Sequence, residues 1–439
     1  MFLEDYIFRN ADLTPNKTAV ICGDKSLTYW QLSYAVKARA HDFWHLKRGT
    51  VVVFRASQDI DFLVTYFAIH VCSLVAAPVE HDMPDEMFNL VTEKLSACKV
   101  PDFTADILYT TGTTGKSKGV MISASTILAD ADNLIEGQGF TSDLAFVVSG
   151  PLNHIGSLSK IYPVIKLGAT LIITSGMKDV NTFFDAFSLP YSKMATFLVP
   201  SAIRILIQFS RERLLSIAPK MDFIETGAAA IPHSDMLELC KIFPNSRLYN
   251  TYASTETGII ATYNFNDGEC IAGCLGRPMS RSQITITPEG YISITGETIM
   301  SGYAGDEELT AKVLINNTIY TSDLGSIDEQ GRLRLQGRVD DVINTGGYKV
   351  APTEVEAVVM SLPQIADCIC TAAPHPVIGT ALKLFYVVKP GETIDVKTLA
   401  RYLKSKLETF KVPFFYQPTD IIKRTYNGKI DRKFYRYNI

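Results

Sequence analysis

Apolar and polar positions in the first 280 residues alternate between two patterns. Short runs rich in valine, isoleucine and threonine have the length of buried strands, and amphipathic stretches at residues 27–46 and 180–187 have the period of helices. Strand-like runs separated by helical ones are typical of α/β layers with mainly parallel sheets. The predicted strands lie at residues 17–22, 50–56, 74–79, 144–150, 169–175 and 194–200.

A different pattern begins near Gln283, where brief strands are separated by turns such as Pro-Glu-Gly at 288–290 and Glu-Gln-Gly at 329–331. This pattern predicts antiparallel β structure. After Gly337 a compact α/β pattern returns. Its predicted helices lie at residues 354–362 and 396–410, and its predicted strands lie at 368–373 and 383–389.

A chain of 439 residues is expected to form two or more domains. We place a boundary at residues 338–340, where the pattern changes. This division predicts a large N-terminal domain at residues 1–337 and a small C-terminal domain at residues 338–439.

Residues 62–79 form an apolar stretch about as long as a membrane span. Thr65, His70 and Pro78 interrupt it, and no basic cluster flanks it. We therefore expect a buried helix that runs into a strand, and we expect no membrane span.

Charge and cysteine content narrow the classes of function. The formal net charge of -4 argues against nucleic acid as a partner. The eight cysteines include no Cys-x-x-Cys pair, so no zinc site is predicted, and the thiols are expected to be free in a reducing compartment. The N-terminus has early acidic residues and lacks the basic-then-apolar pattern of a signal peptide, so we expect a cytoplasmic protein.

The densest group of hydroxyl and lysine side chains lies at residues 109–119, between the strand-like runs 105–108 and 120–123. Glycines there let backbone N–H groups turn inward, and hydroxyls and lysines can surround a triphosphate. The alternative is a glycine- and threonine-rich turn between two strands. A P-loop NTPase motif does not fit, because Thr110 stands where that motif has glycine and because the next run is strand-like.

Together with this loop, seven further segments occur in an order that resembles the acyl-adenylate-forming superfamily of acyl- and aryl-CoA ligases, peptide-synthetase adenylation domains and luciferases. The resemblance runs from Leu27 to Arg432 and implies a distorted β-barrel-like part in the large domain and a mobile α+β C-terminal domain. The segments are LTYWQL at 27–32, TGAAAIP at 226–232, YNTYASTETG at 249–258, GETIMSGY at 296–303, YTSDLG at 320–325, GRVDDVINTGGYKVAPTEVE at 337–356 and RTYNGKIDR at 424–432.

The resemblance implies an ATP site in which the 109–119 loop holds the phosphates, Tyr252 stacks on adenine and Asp323, assisted by Arg338, binds the ribose. The residues that it assigns to ATP are Thr110, Thr111, Gly112, Thr113, Thr114, Gly115, Lys116, Lys118, Gly227, Ala228, Ala229, Asn250, Thr251, Tyr252, Ala253, Asp323 and Arg338.

The resemblance also implies which residues carry the chemistry. Thr255 would bond the α-phosphate, and Glu256 would help hold magnesium, which prefers carboxylate and phosphate oxygens. Lys429 matches the family's catalytic lysine, whose charge would stabilise the developing charge on phosphorus oxygens. His154 matches a histidine near the acyl pocket of CoA ligases, and its alternative is a packing role.

These roles imply two half-reactions, formation of acyl-AMP from a carboxylic acid and ATP, followed by attack of a thiol such as that of coenzyme A. Asp340 matches the family's hinge, about which the small domain would swing. The swing would bring Gly346, Gly347 and Tyr348 to the pocket as a pantetheine channel. The expected cofactors and substrates are ATP, Mg²⁺, CoA and a small carboxylic acid.

Alternatives remain open. The thiol could belong to an acyl or aryl carrier protein, or the chain could be a non-catalytic binding protein, although it retains Glu256, Asp323 and Lys429. An α-amino acid substrate is disfavoured, because PLNHIGSLSK at 151–160 has no aspartate to bind an ammonium group. The identity of the acid and the oligomeric state stay open, and a homodimer is one possibility.

Some features depart from the family pattern. Residues 96–106 cross in about a dozen positions a gap that in relatives holds several tens more. This predicts a reduced N-terminal layer, which could alter the pocket rim or expose an oligomer surface. Ser322 replaces the usual glycine before Asp323, and His375 to Ile378 lack a common acidic residue.

Overall fold

The structure is a computed structural model that describes residues 2–110, 118–177, 179–338, 341–345, 348–425 and 430–437. The candidate residues Thr111, Gly112, Thr113, Thr114, Gly115, Lys116, Asp340, Gly346, Gly347 and Lys429 lie outside these ranges.

The described helices alternate with strands over most of the chain. They are α1 Asp5–Leu13, α2 Tyr29–Ala40, α3 Ile60–Val71, α4 Asp85–Ser96, α5 Ala124–Gln138, α6 Ile155–Leu167, α7 Val180–Ala186, α8 Pro200–Phe209, α9 Arg211–Ile217, α10 His233–Ile242, α11 Glu307–Val313, α12 Pro352–Met360, α13 Val396–Lys406 and α14 Arg432–Tyr437.

The strands confirm the predicted apolar runs. They are β1 Thr18–Cys22, β2 Lys25–Thr28, β3 Val51–Arg55, β4 Val75–Val79, β5 Thr104–Thr110, β6 Lys118–Ser123, β7 Ala145–Val148, β8 Thr170–Ile173, β9 Met194–Leu198, β10 Met221–Thr226, β11 Arg247–Ser254, β12 Gly258–Asn264, β13 Cys274–Pro278, β14 Ser282–Ile286, β15 Tyr291–Gly296, β16 Gly302–Tyr303, β17 Leu314–Ile315, β18 Thr318–Ile327, β19 Leu333–Arg338, β20 Ile343–Thr345, β21 Tyr348–Val350, β22 Ile365–His375, β23 Gly379–Val388 and β24 Phe415–Pro418.

The largest sheet has a parallel core in the order β8-β7-β9-β10-β11. Successive side chains of β7 enter different apolar clusters, as Phe146 and Val147 show. Both faces of this core are therefore covered, which explains why its strands read as continuous apolar runs.

The antiparallel strands predicted after Gln283 continue the same sheet, in the order β14-β15-β18-β19-β13-β12. This continuous antiparallel part begins earlier in the sequence than predicted, at β12, which pairs with β11. Among the described strands this path ends at β14, so the barrel-like part is hydrogen-bonded as an open sheet.

A second sheet has the order β16-β6-β5-β4-β3. The Asp59 side chain caps α3 by accepting from the backbone N–H groups of Asp61 and Phe62. Every residue of α3 from Phe62 to His70 is buried, so the apolar stretch is a core helix that leads into β4. Among the described helices, none combines the length and apolar composition that a membrane crossing requires.

The C-terminal part packs α12 and α13 on the sheet β22-β23-β24. Its separate apolar cluster includes Val355 and Val359 of α12 and Leu399 and Leu403 of α13. The predicted helix at 396–410 was too long, because α13 ends at Lys406 and Leu407 is extended.

The predicted helix at 27–46 was also too long. Thr28 is an N-cap whose hydroxyl accepts from the backbone of Gln31, while the Gln31 side chain accepts from the Thr28 backbone N–H. This capping box starts α2 at Tyr29, and it assigns Leu27 to the preceding strand.

The short connection noted in the sequence joins α4 to β5. In α4 only Leu95 is buried, and the apolar side chains of Met87, Leu90 and Phe103 are between 49% and 60% exposed. An apolar surface therefore surrounds α4 beside this short connection.

Candidate active site

The carboxyl ends of β9, β10 and β11 meet at one edge of the parallel core. Gly227 follows β10 there, and a Cβ at this position would lie 2.9 Å from the carbonyl oxygen of Thr251. Ala228 follows with φ +66° and, like Ala229, is exposed. Only glycine permits this close approach, so the chain forms a flat, small-residue edge beside β11.

Asn250 and Thr251 lie on β11 with buried side chains. Asn250 donates to the carbonyl oxygen of Cys274 at 2.9 Å, and Thr251 accepts from Gln138 at 3.1 Å. These hydrogen bonds position the strand end that carries Tyr252 and Ala253.

Tyr252, Asp323 and Arg338 form a connected triad. The Tyr252 hydroxyl donates to Oδ2 of Asp323, and Nε of Arg338 donates to Oδ1, both at 2.5 Å. Burial and the nearby Asp323 charge raise the pKa of Tyr252 well above its usual range, so the phenol stays a donor. Asp323, on β18, is therefore a carboxylate oriented by Tyr252 of β11 and by Arg338.

Thr255 and Glu256 occupy the turn between β11 and β12. Mutual hydrogen bonds between Ser254 and Thr257 close this turn, and the Glu256 carbonyl accepts from the backbone of Met300 at 2.8 Å. The half-buried Glu256 carboxylate is thus held on an anchored turn.

Tyr303 links Glu256 to the base of the 109–119 loop. Its hydroxyl donates to Oε1 of Glu256 at 3.1 Å, and the Lys118 ammonium lies 5.3 Å from the centre of its ring. Thr110 and Lys118 are paired across β5 and β6, so the loop joins the ends of a hairpin. Sequence reasoning gave Tyr303 no role, although it ends the GETIMSGY segment.

His154 precedes α6 and contacts a partner that the sequence did not indicate. Its Nε2 lies 3.0 Å from Oε1 of Glu80. Burial acts to raise the pKa of Glu80, but hydrogen bonds from His154 and Asn153 outweigh it and hold this pKa below its usual range. The imidazole is therefore oriented by a carboxylate.

A buried ion pair lies beneath the small-residue edge. Lys160 of α6 donates to Oε1 of Glu225 of β10 at 2.8 Å, and each side chain is 1% exposed. Phe197 of β9 packs beside it, with the Lys160 ammonium 5.2 Å from the ring centre. A Cβ on Gly227 would lie 3.7 Å from the same Phe197 ring. Through Phe197, the Lys160–Glu225 ion pair therefore packs under the small-residue edge.

For Lys429 the structure describes only the residues on either side. Arg424 and Ile430 form an antiparallel bridge on either side of the segment that carries Lys429. Tyr348 is exposed and stacks on Phe410 with ring centres 4.5 Å apart.

Comparisons with known proteins match this architecture. A family model described as AMP-binding enzyme matches residues 91–304, and one described as AMP-binding enzyme C-terminal domain matches residues 354–429. Indoleacetate–CoA ligase from Aromatoleum aromaticum is 28% identical over 336 residues, which are 74% of this chain and 65% of that protein. 2-Succinylbenzoate–CoA ligase from Bacillus cereus is 24% identical over 457 residues, covering 94% of this chain and 93% of that protein.

The crystal structure of ATP-bound MatB from Rhodopseudomonas palustris covers 100% of this chain and 99% of its own, with a TM-score of 0.89 and 21% identity. At this identity the likeness shows the fold, an α/β architecture with a large N-terminal and a small C-terminal part. The chain belongs to the AMP-binding, acyl-adenylate-forming enzyme family.

Proposed function

We propose that this protein is an AMP-forming carboxylate–CoA ligase. The observation that carries the proposal is the arrangement at the carboxyl end of β11. This strand carries Tyr252 of the Tyr252–Asp323–Arg338 triad, and the turn after it carries Glu256 of the hydrogen-bonded group Lys118–Tyr303–Glu256. The CoA ligases among its relatives support the choice of thiol.

ATP would bind between these two groups of residues. Tyr252 would lie against adenine, and the free lone pairs of the Asp323 carboxylate would accept from the ribose hydroxyls. The phosphates would extend toward Thr255, Lys118 and the 109–119 loop.

The residues around Glu256 fit a magnesium ion that is carried mainly by the nucleotide. Among the described residues, no group of three or more His, Cys, Asp or Glu converges on one point, so the protein would supply the Glu256 carboxylate. Mg²⁺ is commonly held by one or two carboxylates together with substrate phosphates. Bound there, it would neutralise charge on the phosphate oxygens.

In the first half-reaction a carboxylate oxygen of the acid attacks the α-phosphorus of ATP. The bond from this phosphorus to the bridging oxygen breaks, and pyrophosphate leaves with that electron pair. Thr255 and Lys429 would stabilise charge on the α-phosphate oxygens, and His154, oriented by Glu80, would border the acid.

In the second half-reaction the thiol sulfur of CoA attacks the acyl carbon and AMP leaves. The proposal includes a domain boundary at residue 338 and a hinge at Asp340, so that the C-terminal part brings Gly346, Gly347 and Tyr348 to the site after Lys429 withdraws. The exposed ring of Tyr348 is compatible with a surface that meets a second substrate.

A cytoplasmic location belongs to the same proposal. All eight cysteines are free, as expected in a reducing compartment.

The test is pyrophosphate release with magnesium-ATP over a panel of aryl, short, medium and long-chain acids, with and without CoA. Release that depends on one acid class and accelerates with CoA is expected. Acid-dependent release that ignores CoA would favour a carrier-protein acceptor, and no release with any acid would favour a non-catalytic binding protein.

The half-reactions separate the roles of individual residues. Lys429→Ala should abolish adenylate formation and largely spare thioester formation from supplied acyl-AMP. Retention of both half-reactions would remove Lys429 from the mechanism. Glu256→Ala should weaken the magnesium dependence, and an unchanged dependence would remove its metal role.

A further inference from the structure

An ion-pair network joins the N-terminal part of the chain, before residue 338 and called the large part below, to the C-terminal part. Arg204 of α8 donates through Nη1 to Oδ1 of Asp367 on β22 at 2.9 Å, and through Nε to Oδ2 of Asp235 on α10 at 3.0 Å. Arg424 donates to the other Asp367 oxygen at 2.5 Å. These four side chains are between 13% and 26% exposed, so the network is largely shielded from water.

Both large-part members of the network lie near the candidate active site. Arg204 is in the second turn of α8, which starts directly after β9, and Asp235 is in the first turn of α10, which starts six residues after Gly227. Because parallel strands place their carboxyl ends at one edge, Asp367 docks at the edge that carries Gly227.

Arg424 connects this docking point to the candidate catalytic lysine. Its bridge with Ile430 pairs the two ends of the segment that contains Lys429. The Asp367 carboxylate therefore holds the base of this segment against α8 of the large part.

Each half of the network is neutral by itself. Arg204 and Asp235 pair within the large part, and Asp367 and Arg424 pair within the C-terminal part. If the two parts separate, each arginine keeps a carboxylate partner. No shielded charge is then left without a partner, which would be strongly unfavourable. The Arg204–Asp367 contact can therefore form and break repeatedly.

We propose that Arg204 and Asp367 are positioning residues for adenylate formation. Their contact holds the C-terminal part, including the Arg424–Ile430 bridge that flanks Lys429, against α8 during the first half-reaction and is released for the second. This inference rests on the proposed function and names the contact that favours its first half-reaction.

The test uses the full chain with Arg204→Gln, Asp367→Asn and the double variant. Glu392→Gln, which neutralises an exposed carboxylate of the C-terminal part, is the matched control. Adenylate formation is measured as acid-dependent exchange of labelled pyrophosphate into ATP, and thioester formation is measured from supplied acyl-AMP and CoA. We expect each single variant to slow the exchange about tenfold and the double variant to lose no more, since the two residues act through one contact.

Thioester formation should match that of the control. The melting temperature of the Arg204 variants should fall, because the shielded Asp235 carboxylate loses its Arg204 partner, so both half-reactions are measured well below that temperature. Equal losses in both half-reactions, or a double variant that shows the product of the two single losses, would overturn the positioning role. Unchanged exchange in the variants would overturn it while leaving the proposed function intact. Absence of acid-dependent exchange in the unmodified protein would overturn both.

Discussion

Replacing Lys160 by methionine should destabilise the protein strongly and in a pH-dependent manner. The Lys160 ammonium lies 2.8 Å from Glu225, and both side chains are 1% exposed. The second Glu225 oxygen, Oε2, is buried without a hydrogen-bond partner among the described residues. Methionine fills much of the volume of the lysine stem but leaves the carboxylate without its cation.

The magnitude follows from the two states open to Glu225 in this variant. Breaking a buried ion pair from one side costs about 3–5 kcal/mol. Protonating an ordinary glutamate carboxyl instead costs about 3.7 kcal/mol at pH 7 and about 1 kcal/mol at pH 5. The folded variant would then hold a proton that the unfolded chain releases, so its deficit grows as pH rises. We expect losses of about 3.5 kcal/mol at pH 7 and about 1 kcal/mol at pH 5.

Urea unfolding followed by circular dichroism at both pH values measures these losses. The matched control is the double variant Lys160→Met with Glu225→Leu, which removes both charges and should recover most of the stability. A loss that is the same at pH 7 and pH 5, or a double variant as unstable as the single one, would refute the reasoning.

Three further changes test the site and its support. Tyr252→Phe should raise the KM for ATP about fivefold, because Asp323 loses a hydrogen bond worth about 1 kcal/mol. Gly227→Ala should raise the KM for ATP and lower the melting temperature, since its Cβ would lie 2.9 Å from the Thr251 carbonyl oxygen. Burial raises the pKa of Asp130 to about 8, so the folded state holds a proton there and loses stability as pH rises toward 8. Asp130→Asn should therefore increase stability at pH 7.5 and remove a slope of up to about 1.4 kcal/mol per pH unit, measured by urea unfolding.

A different result would contradict each of these three predictions. Tyr263→Phe is the control for Tyr252→Phe, because Tyr263 lies on the neighbouring strand and its hydroxyl donates to the backbone of Glu269. Equal KM values in the two variants would contradict the triad. An unchanged KM in Gly227→Ala would show that the strand end tolerates a side chain, and parallel stability profiles for Asp130→Asn and the unmodified protein would contradict the buried proton.

The elements that local pattern determines were predicted well from the sequence. The runs at 144–150 and 169–175 became β7 and β8, and residues 180–187 contain α7, since continuous burial and helical period are properties of neighbouring residues. The order of the motifs was likewise enough to predict the family. The ends of helices were predicted less well, because the start of α2 depends on the capping box at Thr28.

The pairing of distant side chains was decided by the tertiary structure alone. His154 meets Glu80 from 74 residues away, and Arg204 meets Asp367 across 163 residues. No periodicity in the sequence encodes these contacts, since they depend on the order of strands in the sheet and on how the C-terminal part docks. The sequence determined which chemical groups the site contains, and strand order and docking determined which carboxylate orients each histidine, tyrosine or arginine.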